Sequence, residues 1–217
     1  AAGRSRWSGD AGLARRIEDA ARRAWPALES QVRDGWELRS AGGFTKRANS
    51  VQPFSSSARS LTEKVEECEA WYEARGMPTI FRLTPFADPE LDLLLDQWAY
   101  EIVEPTNVLF LRLPASMTRV PDVELIELGL QDWLQCYGVL RGVSRHSLPS
   151  MRAILEACRQ DRFRGALYSI GSSEQVACGL AVADQDMAGP FDPVTAPRPR
   201  RRGYGGSLGA GLLARGC

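Results

Sequence analysis

The sequence predicts an α/β protein in two halves, and three observations carry that prediction. Apolar residues at helical spacing alternate along the chain with short apolar and β-branched runs bounded by Gly and Pro. The order helix, strand, turn, strand, helix occurs twice, the last strand closing once at Val51-Gln52-Pro53 and once at Val194-Thr195-Ala196-Pro197, which reads as an internal duplication. At 217 residues, 44% hydrophobic and 25% charged, the chain has the composition of a globular protein and room for one large domain or two small ones.

In the first half, Leu13, Ile17, Ala20, Ala21 and Ala24 mark an opening helix that stops before Pro26. Gly35–Arg39 reads as a strand, Gly42-Gly43 as a hairpin turn, and Thr45–Val51 as the returning strand, closed by Pro53. Ser60-Leu61-Thr62-Glu63 is a capping box for a helix that carries Leu61, Val65, Cys68 and Tyr72 on one face and stops at Gly76. A strand over Thr79–Leu83 follows. Next comes a helix with Asp88 as N-cap, Pro89 in its first position and a stripe of Leu91, Leu94, Leu95 and Trp98. A strand over Thr106–Leu113 closes this half, residues 10–113, and residues 114–121, with two prolines, form a linker.

The second half, residues 122–217, opens with a helix around Leu128–Leu140 and another carrying Leu148, Met151, Ile154, Leu155 and Cys158. Strands over Arg164–Ile170 and Val176–Val182 flank the turn Gly171-Ser172-Ser173, the second with Val176, Cys178, Leu180 and Val182 on one face. A strand over Ala188–Thr195 then meets the most informative stretch of the chain, Arg-Pro-Arg-Arg-Arg-Gly-Tyr-Gly-Gly-Ser-Leu over residues 198–208. It opens a helix marked by Leu208, Leu212 and Leu213.

Gly203, Gly205 and Gly206 allow positive φ and close approach, so that successive N–H groups can converge on phosphate oxygens. The helix dipole contributes about 0.3–1 kcal/mol toward an anion, against roughly 1.5–3 kcal/mol for each charge-assisted hydrogen bond. Arg200, Arg201 and Arg202 would therefore supply most of the attraction. A Walker loop would need Gly-Lys followed by Ser or Thr, which is absent, and a dinucleotide fingerprint would need glycine where Leu208 stands. A nucleic-acid tail would normally accompany a basic chain, whereas 27 Lys and Arg balance 27 Asp and Glu. A solvated basic loop is the plain alternative.

The order Arg200-x-x-Gly203-x-Gly205, directly after a strand ending at Val194-Thr195-Ala196-Pro197, resembles the acetyl-CoA pyrophosphate loop of the GCN5-related N-acetyltransferases. The resemblance implies a mixed, mostly antiparallel sheet with flanking helices, in two acyl-CoA N-acyltransferase-like halves. It implies that Pro193, Val194, Arg200, Arg201, Arg202, Gly203, Tyr204, Gly205, Gly206 and Ser207 bind acetyl-CoA, and that Asp192 relays the proton of an amine acceptor, a small molecule or a peptide. The first half has Pro53–Arg59 where the loop would stand. The second has the loop and no counterpart of the span from Pro78 to Leu113, so truncation is expected and the family's thiolate-protonating tyrosine would lie past Cys217. The alternative to an acetyltransferase is a non-catalytic module binding CoA or phosphate, or an inactive fragment of such an enzyme.

Other chemistries find little support. Five cysteines, at 68, 136, 158, 178 and 217, form no Cys-x-x-Cys pair, and His146 is the single histidine, so neither a metal centre nor a Ser-His-Asp hydrolase is indicated. No apolar run reaches the roughly 18–20 residues of a membrane span, and no signal segment is visible, which predicts a cytoplasmic protein that oligomerisation could extend. Trp36, Trp71, Trp98 and Trp133 are expected in the core or packed between the halves, with stacking on a substrate the lesser alternative. Lys46, Arg47, Asn49 and Ser50, with Arg39, form a polar strip that is either a hydrated sheet face or the lining of a substrate groove.

Overall fold

The computed structural model describes residues 10–55, 59–113, 125–144, 146–169, 173–197 and 202–216. In chain order the elements are α1 (Ala11–Ala24), β1 (Glu29–Arg33), β2 (Trp36–Ser40), β3 (Val51–Pro53), α2 (Leu61–Glu73), α3 (Pro89–Gln97), β4 (Ile126–Glu127), α4 (Leu130–Arg141), α5 (Leu148–Ala157), β5 (Asp161–Tyr168), β6 (Gln175–Asp184), β7 (Met187–Thr195) and α6 (Tyr204–Gly216). They form a mixed α/β fold with two antiparallel sheets, β1-β2-β3 and β4-β5-β6-β7. Contacts group the described residues of Ala27–Phe110 into one compact unit, and those of Ala11–Pro26 with Leu111–Cys217 into another. The expected linker, 114–121, lies outside the described residues.

In the first unit, β1 and β2 are joined by Asp34-Gly35, with φ of 44° and 78°. Two left-handed residues in a two-residue connection match the twist of a hairpin, and Asp-Gly is the pair that favours them. A Cβ on Gly35 would lie 1.9 Å from Ser55 Oγ, so glycine is also needed for space. Lys64 reaches from α2 to donate to the Asp34 carbonyl at 2.8 Å. The expected strand over Thr45–Val51 is mostly a loop with a short 3-10 turn at Lys46–Ala48, which leaves only Val51–Pro53 paired to β2.

Asn49 holds that loop. Its Oδ1 accepts from Ala41 N at 2.7 Å and Gly43 N at 3.0 Å, while its Nδ2 donates to the carbonyls of Phe44 at 2.8 Å and Thr45 at 2.7 Å. Arg39 donates to the Arg47 carbonyl at 3.2 Å, and Arg39, Asn49 and Ser50 are buried. These three members of the polar strip are committed to internal bonds, whereas Lys46 and Arg47 are exposed.

Around this sheet, Trp36, Leu38, Val51, Val65, Cys68, Trp71, Tyr72, Leu91 and Leu95 form one core. Asp88 caps α3 as expected, accepting from Glu90 N at 2.9 Å. Ser60 stands at the start of α2 without a side-chain cap bond. The strand expected over Thr79–Leu83 is a single parallel bridge, Val51 to Phe81. Trp98, expected in the core, is 36% exposed at the end of α3. The strand expected over Thr106–Leu113 is absent, and Leu109 is 91% exposed. An apolar run becomes a strand only where another edge supplies its hydrogen bonds.

In the second unit β6 is the central long strand, and Val176 through Val182 are all buried. The sequence pattern puts the even-numbered positions on one buried face; the intervening Ala177, Gly179 and Ala181 are covered as well. Leu208 and Leu212 of α6 belong to the cluster containing Ala177 and Ala181, whereas the free thiol of Cys178 lies near that of Cys136 on α4. A strand sandwiched between helices loses the one-sided alternation of a half-exposed one. Helix α1 also joins this unit. Trp25 is fully buried and stacks on Phe191 of β7, rings 6.3 Å apart and 11° from parallel, and Arg23 pairs with Asp184 at 2.7 Å. No described helix is long and apolar enough to cross a membrane.

Candidate functional site: a bulged strand leading into a glycine turn

The site begins with a fault in the β6–β7 ladder. Ala177 faces Thr195 and Cys178 faces Val194, but Leu180 faces Phe191, so Gly179 alone stands opposite both Asp192 and Pro193. This is a β-bulge, which leaves the extra residue out of the ladder and bends the strand. The local sequence explains it. Pro193 has no N–H to give to a ladder, and Asp192 adopts φ of 46°, a left-handed conformation that Asp tolerates better than most residues. Pro193 is exposed, while Asp192 and Val194 are half-buried.

Gly179 is what allows the bulge and α6 to share one place. A Cβ there would lie 3.0 Å from Leu212 Cδ1, 3.3 Å from Pro193 Cα and 3.4 Å from Leu208 Cδ2. The carbonyl of Gly179 accepts a 3.0 Å hydrogen bond from Nε1 of the fully buried Trp133 on α4. One turn along, Tyr137 stacks on Trp133, rings 5.1 Å apart and 16° from parallel. Burial, with the charge of Asp192 as the next cause, pushes the Tyr137 hydroxyl up to about 12, so it stays protonated at neutral pH. Asp192 also raises the Cys178 thiol, though less than the Cys136 bond and burial do.

Beyond β7, Ala196 N donates to the Val176 carbonyl at 2.8 Å, which carries the sheet to the edge of the arginine-glycine stretch. Arg200 and Arg201 lie outside the described residues. Arg202 is exposed, Gly203 turns with φ of 80°, and α6 starts at Tyr204. Ser207 N bonds to the Gly203 carbonyl at 3.0 Å, the first bond of the helix. By helix geometry the N–H groups of Tyr204, Gly205 and Gly206 have no acceptor within the helix. Added Cβ atoms on Gly203 and Gly206 would meet nothing within 4 Å, and one on Gly205 only Thr195 Cγ2 at 3.8 Å. Among the described residues, the space over the turn is open. The Tyr204 ring packs against the core cluster of this unit.

The structure therefore places Asp192 and Pro193 in the bulge with Val194 next to it in the ladder, and Gly203 in the turn with Tyr204 through Ser207 opening α6, at the two ends of a short stretch of chain. Sequence reasoning missed Tyr137, and it read Trp133 as packing in the core or between the halves before any stacking on substrate. The available signal was an aromatic pair at i and i+4 on a helix preceding a strand with an internal Asp-Pro. No group of three His, Cys, Asp or Glu side chains suited to a metal ion occurs among the described residues, and His146 is exposed.

A family model described as "Probable histone acetyltransferase Rv0428c C-terminal" matches residues 12–213. The chain belongs to this family. Within it, 63 residues are 41% identical to the "Probable histone acetyltransferase Rv0428c" of Mycobacterium tuberculosis, covering 29% of this chain and 20% of that protein. Over 108 residues the chain is 32% identical to the "Uncharacterized N-acetyltransferase YobR" of Bacillus subtilis, covering 50% of this chain and 43% of that protein. These matches span less than half the length of either relative. A crystal structure of a functionally unknown conserved protein from Staphylococcus epidermidis shares the fold, with a TM-score of 0.54 at 10% identity over 88% of this chain and 79% of that one.

Proposed function

We propose that the chain is an acetyl-CoA-dependent N-acetyltransferase of the GCN5-related type, acting on an amine of a small molecule or peptide. The observation that carries the proposal is the bulged strand running directly into a glycine turn and helix N-terminus, in a chain whose family and relatives bear acetyltransferase names. The N–H groups of Tyr204, Gly205 and Gly206 would hold the pyrophosphate, with Arg200, Arg201 and Arg202 supplying charge. Gly203 and Gly206 leave the room that it needs.

Acetyl-CoA, when bound, supplies an acetyl thioester whose C–S bond is exchanged for a C–N bond. The backbone around Asp192, Pro193 and Val194 orients that group where the ladder is open. The Asp192 carboxylate takes the proton from the incoming amine, directly or through water. The Tyr137 hydroxyl, raised first by burial and then by the charge of Asp192, keeps its own proton at neutral pH. The buried free cysteines Cys68, Cys136, Cys158 and Cys178 fit a reducing compartment, and we place the protein in the cytoplasm.

Calorimetric titration with acetyl-CoA tests the reading. Saturable binding is expected, weakened about 100-fold or more in an Arg200→Ala, Arg201→Ala double mutant, since each charge-assisted bond carries roughly 1.5–3 kcal/mol. Absence of saturable binding, or equal binding by the double mutant, would overturn it. Asp192→Asn is expected to bind acetyl-CoA normally and to transfer the acetyl group poorly.

A further inference from the structure

We infer that residues 106–111 are an exchange strand: two copies of the chain swap it, each adding it to the open sheet edge at Phe81 of the other. The inference is independent of the acetyltransferase reading and concerns the first unit and the run that leaves it.

The run is apolar and stands in water. All of residues 101–112 are exposed, among them Ile102, Val103, Val108 and Phe110, with Leu109 at 91% and Leu111 at 68%. Val-Leu-Phe-Leu is a composition that favours strands, and contiguous exposed apolar surface of several hundred Å² marks an interaction site. Six large apolar side chains on each of two copies, with the surface they would cover on the other, reach the range of about 1,200–2,000 Å² that a stable dimer needs. Among the described residues, the backbone of residues 107–111 makes no hydrogen bond.

The same unit has an edge that fits. Val51 N donates to the Ile80 carbonyl at 2.8 Å, and Arg82 N donates to the Val51 carbonyl at 3.0 Å. This parallel bridge uses the groups of residues 80 and 82 that face β3, and alternation along the chain turns the Phe81 N–H and C=O to the opposite side. They meet no backbone partner among the described residues. The Phe81 ring packs edge-on against Trp36 and Tyr100, centroids 6.0 and 5.5 Å away, so the edge is anchored in the core. An unpaired edge held in place is a template for an added strand.

The hinge before the run decides whose edge it takes. Tyr100 is fixed in the unit by its ring against Phe81 and by its hydroxyl, which donates to Glu69 at 2.6 Å. Four residues on, Glu104 holds a left-handed φ of 53° directly before Pro105, a position where a residue with a Cβ is strained. The ion pair of Glu104 with Lys46 is exposed and does little to hold the bend shut. A strained hinge favours opening, and an opened hinge delivers the run to a second copy. A two-fold axis then makes the same junction twice.

Sedimentation equilibrium of the 217-residue chain measures the association. Amide hydrogen exchange, read at concentrations below and above the midpoint, locates it. A micromolar dimer is expected, with protection at Phe81 and at residues 108–111 that grows with the dimer fraction. Leu109→Asp changes a side chain that is exposed in the single copy, so it leaves the fold intact. It is expected to weaken the dimer at least about 100-fold, since two buried leucines are lost per dimer. Val139→Asp, at an exposed apolar residue of α4, is the control and is expected to leave the association unchanged. A chain that stays monomeric at high micromolar concentration would overturn the inference. So would protection that does not depend on concentration, which would put the run on its own edge, or a dimer in which Phe81 stays unprotected. Equal effects of Leu109→Asp and Val139→Asp would overturn it as well.

Discussion

Gly179 and Leu212 are packed so closely that a methyl group on the first would come within 3.0 Å of Cδ1 of the second. The other near neighbour is backbone, Pro193 Cα at 3.3 Å, so the crowding cannot be relieved by side-chain rotation alone. Gly179→Ala is expected to push α6 away from β6, at a cost of about 1–3 kcal/mol, the usual penalty of overpacking a filled core. Urea unfolding followed by tryptophan fluorescence measures that loss. Acetyl-CoA affinity should fall with it, because the same shift moves the helix N-terminus away from the bulge.

At Gly206 stability and function should part. This residue lies in the first turn of α6, and an added Cβ meets nothing within 4 Å. Gly206→Ala is therefore expected to stabilise the chain by about 0.4–1 kcal/mol, since alanine loses less conformational freedom in a helix than glycine does. The empty space is also where the pyrophosphate is proposed to sit, so the same variant should bind acetyl-CoA more weakly. A higher urea midpoint with undiminished affinity would place the ligand elsewhere.

Asn49 replaces a piece of secondary structure with one side chain. Its amide makes four bonds of 2.7–3.0 Å to the backbone of residues 41–45 and is itself buried. At roughly 0.5–1.5 kcal/mol for each bond, Asn49→Ala should cost about 2–6 kcal/mol. Asn49→Asp should cost nearly as much, because a carboxylate can accept from Ala41 and Gly43 but cannot donate to Phe44 and Thr45. Recovery of wild-type stability in the aspartate variant would show that the two donated bonds carry little.

How much of this was legible in the sequence depended on how local the cause was. The Asp88-Pro89 start of α3 is decided by neighbouring residues and could be read directly, and so could the glycine turn before α6. Strand β1 was hidden because Glu-Ser-Gln-Val-Arg shows one apolar residue and almost no burial; its signal was the Asp34-Gly35 pair that follows. The segments at Thr79–Leu83 and Thr106–Leu113 have strand-like composition, and their outcome turned on partners far away in sequence. The bulge was half legible. Asp192-Pro193 inside a strand announces an interruption, but the register that puts Gly179 opposite it, and the indole bonded to the Gly179 carbonyl, come from tertiary packing.

The protonated state of Tyr137 gives a prediction in alkali. Its hydroxyl is raised from an ordinary value of 10.0 to about 12, first by burial and then by Asp192. The folded chain therefore holds this proton where the unfolded chain has released it. The resulting stability is complete below pH 10 and is lost as the pH climbs through about 12. A proton retained across that interval is worth roughly 2–3 kcal/mol, since each tenfold change in proton affinity corresponds to about 1.4 kcal/mol. Burial also raises Tyr72 and Tyr100 of the other unit, so the wild-type chain has more than one source of alkaline sensitivity. Tyr137→Phe removes one source and keeps the ring that stacks on Trp133. Urea unfolding at pH 9, 10 and 11, followed through the second unit by hydrogen exchange, should show the stability gap between wild type and Tyr137→Phe changing steadily as pH rises, because the unfolded wild type releases the phenolic proton before the folded one does and alkali therefore favours its unfolding. The variant, with no hydroxyl to ionise, should therefore gain on the wild type between pH 10 and 11. A gap that stays constant over this range would mean that the Tyr137 hydroxyl ionises as it does in water, and that neither burial nor the Asp192 charge bears on it.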